Sequence, residues 1–179
     1  MRSSIGAFQE AVRQRVDALT AGDGVERVWR RDAGFWGGDD AQQRSVANRL
    51  GWLDAPAAMR QWIPEIVSFA REVRDAGMRD VVLLGMGGSS LAPEVLHRSL
   101  APPDGWPRLH VLDTTDPGTI LGVQRQIDLA RSLFVVASKS GGTIEVASLF
   151  AHFHALVEEQ RGPAAGEQFI AITDEGTSL

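Results

Sequence analysis

The sequence predicts an α/β fold of three layers, α-β-α, with a mostly parallel sheet and a helical N-terminal arm in front of it. Three observations carry that expectation. Residues 81–85, 109–112, 133–137 and 169–172 are apolar runs without polar alternation, as expected of strands covered on both faces. Stretches of helical period lie between them, which suits parallel strands joined by crossover helices. Two of the runs end in loops rich in glycine and serine, where a chain leaving a strand can turn sharply into a helix.

Taken in order, residues 1–55 read as the arm. Ile5, Phe8, Val12, Val16 and Leu19 recur every three or four residues, giving an amphipathic helix that ends near Gly22. An irregular stretch follows, with Trp29, Phe35 and Trp36 among Gly34, Gly37 and Gly38. A short helix over 42–50 then closes on Trp52 and Leu53. These aromatics are expected to pin the arm by packing.

Residues 56–179 read as the sheet-bearing domain. Met59, Trp62, Ile63, Ile66, Ala70 and Val73 mark one face of a helix that stops at Gly77. The first strand, 81–85, leads through a glycine loop to a helix over 91–100. The second, 109–112, runs into Asp113-Thr114-Thr115-Asp116-Pro117 and a helix reaching about Gln126. The third, 133–137, meets the second glycine loop. Its helix carries Val146, Leu149, Phe150, Phe153, Leu156 and Val157 and ends at Gly162-Pro163. After the fourth strand, 169–172, a loop over 173–177 precedes what should be a further helix, so the sheet is expected to be incomplete at the C-terminus. Right-handed crossovers would gather all of these loops at the carboxyl edge of the sheet, where open α/β sheets bind ligands.

Composition narrows the function classes. The 179 residues are 44% hydrophobic and 23% charged, with a net charge of -5 and no cysteine. Disulfides and thiolate metal sites are therefore excluded. No apolar run approaches the roughly 20 residues of a membrane span, and the N-terminus has no signal-peptide stretch. The mildly acidic balance does not suit nucleic acid. The expectation is a cytoplasmic, soluble protein with neither nucleic acid nor membrane as partner.

The chemistry concentrates in the two loops, Gly85-Met86-Gly87-Gly88-Ser89-Ser90 and Ser138-Lys139-Ser140-Gly141-Gly142-Thr143. Each should aim the unpaired N–H groups of a following helix at one spot, which favours an anion. Ser89 and Ser90 are read as an N-cap and as hydroxyl donors. Ser138, Ser140 and Thr143 place three hydroxyls around two glycines, the makings of a phosphate nest. All but one of the 18 basic residues are arginine, and the single lysine is Lys139. Each loop taken alone also reads as a plain strand-to-helix turn. Two nucleotide motifs do not fit: Ser90 stands where a dinucleotide fingerprint needs its third glycine, and neither loop has P-loop spacing.

Val82-Leu-Leu-Gly-Met-Gly-Gly-Ser-Ser-Leu-Ala-Pro-Glu94 and Val136-Ala-Ser-Lys-Ser-Gly-Gly-Thr-Ile-Glu145 resemble the two signature stretches of the phosphoglucose isomerase family, in its first sugar-isomerase (SIS) subdomain. The run from Ile172 to Leu179 resembles that family's next strand and loop. Residues 28–53 resemble the isomerase part of fused transaldolase–phosphoglucose isomerase proteins. Gly-Gly-Ser and Ser-Lys-Ser together separate the family from regulatory SIS domains, whose loop lacks the lysine.

The resemblance implies that Ser138, Lys139, Ser140, Gly141 and Thr143 surround a substrate 6-phosphate, and that Gly87, Gly88 and Ser89 lie along the sugar. Glu145 matches a supporting glutamate near the ring-opening end; read without the resemblance, it is a first-turn helix acid favoured by the dipole. The implied reaction interconverts glucose 6-phosphate and fructose 6-phosphate through a cis-enediol, with no cofactor and no metal, in a complete protein that is a homodimer. The family's base, arginine, ring-opening histidine and late lysine match nothing before Leu179, so no catalytic residue is expected within this chain. His152 and His154 are expected to face solvent, and His97 and His110 have no carboxylate or metal-ligand spacing. Other readings remain open: a non-catalytic SIS domain that senses a sugar phosphate, a related isomerase that also takes mannose 6-phosphate, and a fragment that binds only sulfate or phosphate.

Overall fold

A computed structural model describes residues 5–100 and 102–177. The chain divides into two compact units, Met1–Glu65 and Ile66–Leu179. In the first, helix α1 (Gln9–Ala21) follows a short 3₁₀ turn, and α2 (Gly24–Trp29) follows α1. Helix α3 (Asp40–Ala47) opens with a capping box. The Asp39 carboxylate accepts the N–H groups of Ala41 and Gln42, and the Gln42 side chain accepts the Asp39 N–H. The short α4 (Ala55–Ala58) follows. Trp29, Trp36 and Trp52, expected to be consumed in packing, are instead exposed, as are Phe8, Val12 and Val16 of α1.

The expected helix over 59–73 is broken. A 3₁₀ turn occupies Met59–Trp62, and helix α5 runs only from Ile63 to Asp75. Pro64 explains the break. It has no N–H to bond backwards, so it sits where a helix starts, in the first turn.

The second unit holds a four-stranded sheet: β1 (Asp80–Gly85), β2 (Arg108–Leu112), β3 (Ser132–Ala137) and β4 (Phe169–Ile172). Its order is β2-β1-β3-β4, and every pair is parallel. Leu84 stands level with Leu112 on one side and Val136 on the other, and Ala137 stands level with Ile172. Helices α6 (Gly88–Leu100), α7 (Pro117–Gln126) and α8 (Ile144–Arg161) join the strands. Because all the strands run the same way, their four following loops share one edge.

One face of the sheet is fully packed. Val82, Leu84, Leu112, Phe134 and Val136 meet Val146, Leu149, Phe153 and Val157 of α8, with Ile120 and Val123 of α7 alongside. Phe134 lies between Phe153 and Phe169, at centroid distances of 5.0 and 4.9 Å. Completely buried rings such as Phe134 and Phe153 contribute about 1.5–3 kcal/mol each through removal from water. On the opposite face, Val81, Leu109, Leu133, Val135 and Ile170 share an apolar cavity of about 510 Å³ with Ile66, Phe69, Ala70 and Val73 of α5.

At the amino edge the chain ties itself together around Asp80, which has no exposed surface. Its Oδ1 accepts from Arg108 Nε at 3.0 Å and lies 2.9 Å from His110 Nε2, while Oδ2 accepts the Asp128 N–H at 3.3 Å. His110 thus has a carboxylate partner that no sequence spacing revealed. His152 and His154 correct the expectation of solvent-facing side chains. Both are half-buried, with His152 Nε2 3.2 Å from Gln124 Oε1 and the His154 ring 5.3 Å from Phe150 and 5.5 Å from Phe169.

Candidate functional site

From β1 the sheet grows to β2 on one side and to β3 on the other, so the connections part between β1 and β3. Such a switch point leaves a crevice at the carboxyl ends of the strands. A cavity of about 500 Å³ lies there, with Met86, Gly88 and Ser89 on one wall and Ala137, Ser138, Lys139, Ser140 and Thr143 on the other. The apolar cavity under α5 is as large, but its described lining holds no charged side chain to orient a polar ligand.

The first wall is mostly backbone. A Cβ on Gly85 would stand 3.1 Å from Ser89 Cβ and 3.3 Å from the Ala137 carbonyl, so the close approach of the two loops favours glycine. Gly87 has φ +54°, and its left-handed turn starts α6 at Gly88, three residues before the expected start. Ser89 and Ser90 therefore lie inside the helix and do not cap it. Ser90 is buried, and its hydroxyl donates to the Gly87 carbonyl at 2.9 Å. Ser89 remains on the wall of the crevice.

The second wall is made of side chains. Ser138 is only 3% exposed, and its Oγ lies 3.0 Å from Thr143 Oγ1. The Ser138 N–H donates to the Ile172 carbonyl at 3.1 Å, which carries the β3–β4 pairing one step into the loop. Gly141, at φ +68°, reverses the chain, and its N–H donates to the Ser138 carbonyl at 3.3 Å. Ser140 Oγ accepts the Gly142 N–H at 3.3 Å. Thr143 is the N-cap residue of the 18-residue α8, yet its hydroxyl does not cap the helix. The first N–H groups of α8 thus keep the donor capacity that suits an anion.

The Lys139 ammonium donates to Asp174 Oδ2 at 2.5 Å. Asp174 went unnoticed as a site residue, although it lies in a loop expected at this edge and the lone lysine needs a counter-charge. Met86 and Ala137 were also missed, for lack of any polar signal. Glu145 is exposed in the first turn of α8 and does not line the crevice. Hydroxyls, one ammonium and helix N-termini around one cavity are the groups whose chemistry suits an anion such as a phosphate monoester.

The sequence model of the phosphoglucose isomerase family matches residues 49–178, a span that includes every strand and both loops. The chain belongs to the phosphoglucose isomerase family. Among relatives, it is 35% identical over 130 residues to a glucose-6-phosphate isomerase of Treponema pallidum, covering 64% of this chain and 24% of that protein. It is 32% identical over 166 residues to one of Xanthobacter autotrophicus, covering 88% and 30%. The chain thus spans about a quarter to a third of the length of the curated relatives it matches. Its fold is similar to that of a solved hypothetical protein from Thermus thermophilus, with TM-score 0.64, 27% identity and coverage of 95% and 38%. It is also similar to a glucose-6-phosphate isomerase from Chlamydia trachomatis, with TM-score 0.59, 26% identity and coverage of 85% and 28%.

Proposed function

We propose that this phosphoglucose isomerase chain cradles the 6-phosphate of glucose 6-phosphate and fructose 6-phosphate, for an enzyme that interconverts them through a cis-enediol. The observation that carries this reading is the crevice between β1 and β3, with the hydroxyls of Ser89, Ser138, Ser140 and Thr143 and its single ammonium. A phosphate held there by Ser138, Lys139, Ser140 and Thr143 is remote from the reacting carbons. Its binding energy would fix the sugar along Gly87, Gly88 and Ser89, converting a loose encounter into an oriented one.

The chemistry itself needs more than a cradle. A base must carry a proton between C2 and C1, a cation must stabilise the enediolate, and an acid must open the ring. Among the described residues no histidine or glutamate lines the crevice. His110 is tied to Asp80 at the amino edge, His152 and His154 pack along α8, and Glu145 is exposed and outside the crevice lining. The 179-residue chain by itself is therefore a binder without turnover.

Calorimetric titration of 6-phosphogluconate and of inorganic phosphate tests this. The sugar phosphate should bind more tightly, Ser140→Ala should weaken it, and fructose 6-phosphate should not be turned over. Equal affinity for both ligands would overturn the sugar-phosphate reading. Turnover would overturn the claim that the base lies elsewhere.

A further inference from the structure

The side chain of Lys139 is 71% exposed, and its four-carbon stem gives it more freedom than any other group on the crevice wall. The structure nevertheless holds it twice over. Its ammonium donates to Asp174 Oδ2 at 2.5 Å, and its carbonyl accepts the Asp174 N–H at 3.2 Å. Asp174 stands in the loop after β4. That loop is closed on itself by Thr173 Oγ1 and Thr177 Oγ1 at 2.6 Å, and is joined to the phosphate loop through Ser138 N–H and the Ile172 carbonyl. An ion pair this exposed adds little to folding stability, so stability does not account for its presence.

We infer that Asp174 is a positioning residue, which holds the Lys139 ammonium at the crevice so that it meets the phosphate already oriented. This rests on the sugar-phosphate reading above. An ammonium has three N–H donors, and the Asp174 carboxylate uses one, leaving two for a phosphate oxygen. The lysine's rotamer freedom is then lost before the ligand arrives and not upon binding, which is how preorganisation raises affinity. Asp174 does not line the crevice, and its backbone is bonded to that of Lys139. It is therefore placed to keep its hold while the anion enters, and not to compete for the same space.

The test is a double-mutant cycle on the full chain, read by calorimetric affinity for 6-phosphogluconate. Asp174→Ala should weaken binding about three- to tenfold, and Asp174→Glu should recover part of the loss. In a Lys139→Met background, Asp174→Ala should cost nothing further. Unchanged or tighter binding by Asp174→Ala would overturn the inference, the tighter case making Asp174 a rival of the ligand. A second readout needs no ligand. Protein grown with ¹³C-labelled lysine carries a single lysine signal set, whose ε-methylene protons should be inequivalent in the wild type and merge in Asp174→Ala. An identical lysine signal in the two proteins also overturns it. If the wild type binds no sugar phosphate but the lysine signal responds, the functional reading fails and the positioning of Lys139 stands.

Discussion

The two loops that face each other across the crevice occupy the same place after two strands that are neighbours in the sheet, β1 and β3, yet they are built from different materials. The β1–α6 loop works through backbone: Gly85 permits the close approach, Gly87 makes the turn, and Ser90 is turned inward to bond its own helix. The β3–α8 loop works through side chains, with Ser138, Ser140, Thr143 and Lys139 all on the cavity wall. The difference follows from their neighbours. Beyond β3 lies β4, whose last residue, Ile172, accepts the Ser138 N–H and whose following loop grips Lys139, so the second loop can carry flexible polar groups and still be ordered. On the proposed reading, one loop sets how near a ligand can come and the other determines what charge it must have.

The largest expected effect comes from breaking the backbone loop. Gly85→Val adds three carbons where even one would press on Ser89 and Ala137. Overpacking of this kind costs about 1–3 kcal/mol, and thermal unfolding should fall by several degrees. Ligand binding should be lost as well, because the two walls are forced apart. Breaking the side-chain loop should separate those outcomes. Ser140→Ala removes an exposed hydroxyl, so stability should stay within about 0.5 kcal/mol while affinity for 6-phosphogluconate falls about fivefold. If the two substitutions move stability and affinity together, the division of labour between the loops is wrong.

A finer contrast lies within the first loop. A Cβ at Gly87 or at Gly88 would meet nothing within 4 Å, but only Gly87 has positive φ. Gly87→Ala should therefore cost about 1 kcal/mol from backbone strain alone. Gly88→Ala, helical and unstrained, should be neutral or stabilising by a few tenths of a kcal/mol, yet weaken binding because Gly88 lines the crevice and the substitution adds bulk there. Chemical denaturation of the two variants distinguishes them by sign.

Much of this architecture was legible before any coordinates, for a physical reason. Strands covered on both faces leave unbroken apolar runs, and the four found here begin and end within a residue of those runs. What stayed hidden depended on contacts made across the sheet. Asp80 meets Arg108 and His110 because parallel pairing sets Asp80 beside Arg108 and Val82 beside His110, a juxtaposition no local spacing encodes. Asp174 reaches Lys139 in the same way, through the β3–β4 register. The histidines of α8 were misjudged because a helix wedged between Gln124 and Phe169 buries more than one stripe. The serines of the first loop were misjudged because the turn at Gly87 starts the helix early.

A third loop at the same edge sharpens the comparison. Thr143 leaves α8 without a side-chain cap, whereas α7 brings its own anion. Asp116 Oδ2 accepts the Thr119 N–H at 2.7 Å and the Thr119 hydroxyl at 2.9 Å. Those two bonds, led by the backbone one, hold the Asp116 carboxyl below the usual carboxylate range, against a partial desolvation that pushes the other way. A carboxyl depressed in the folded state adds stability that is present above its unfolded pKa, near 3.9, and is lost as pH falls through the folded value. Asp116→Asn should therefore lower the unfolding temperature at pH 7, and its curve should converge on the wild-type curve as the pH drops below about 4. Binding of 6-phosphogluconate at pH 7 should not change, since α7 already supplies its own negative charge and leaves the external anion to α8. A gap between the two stability curves that persists to pH 2 would show that Asp116 acts by shape alone. A loss of affinity would place the ligand across all three loops and not between two.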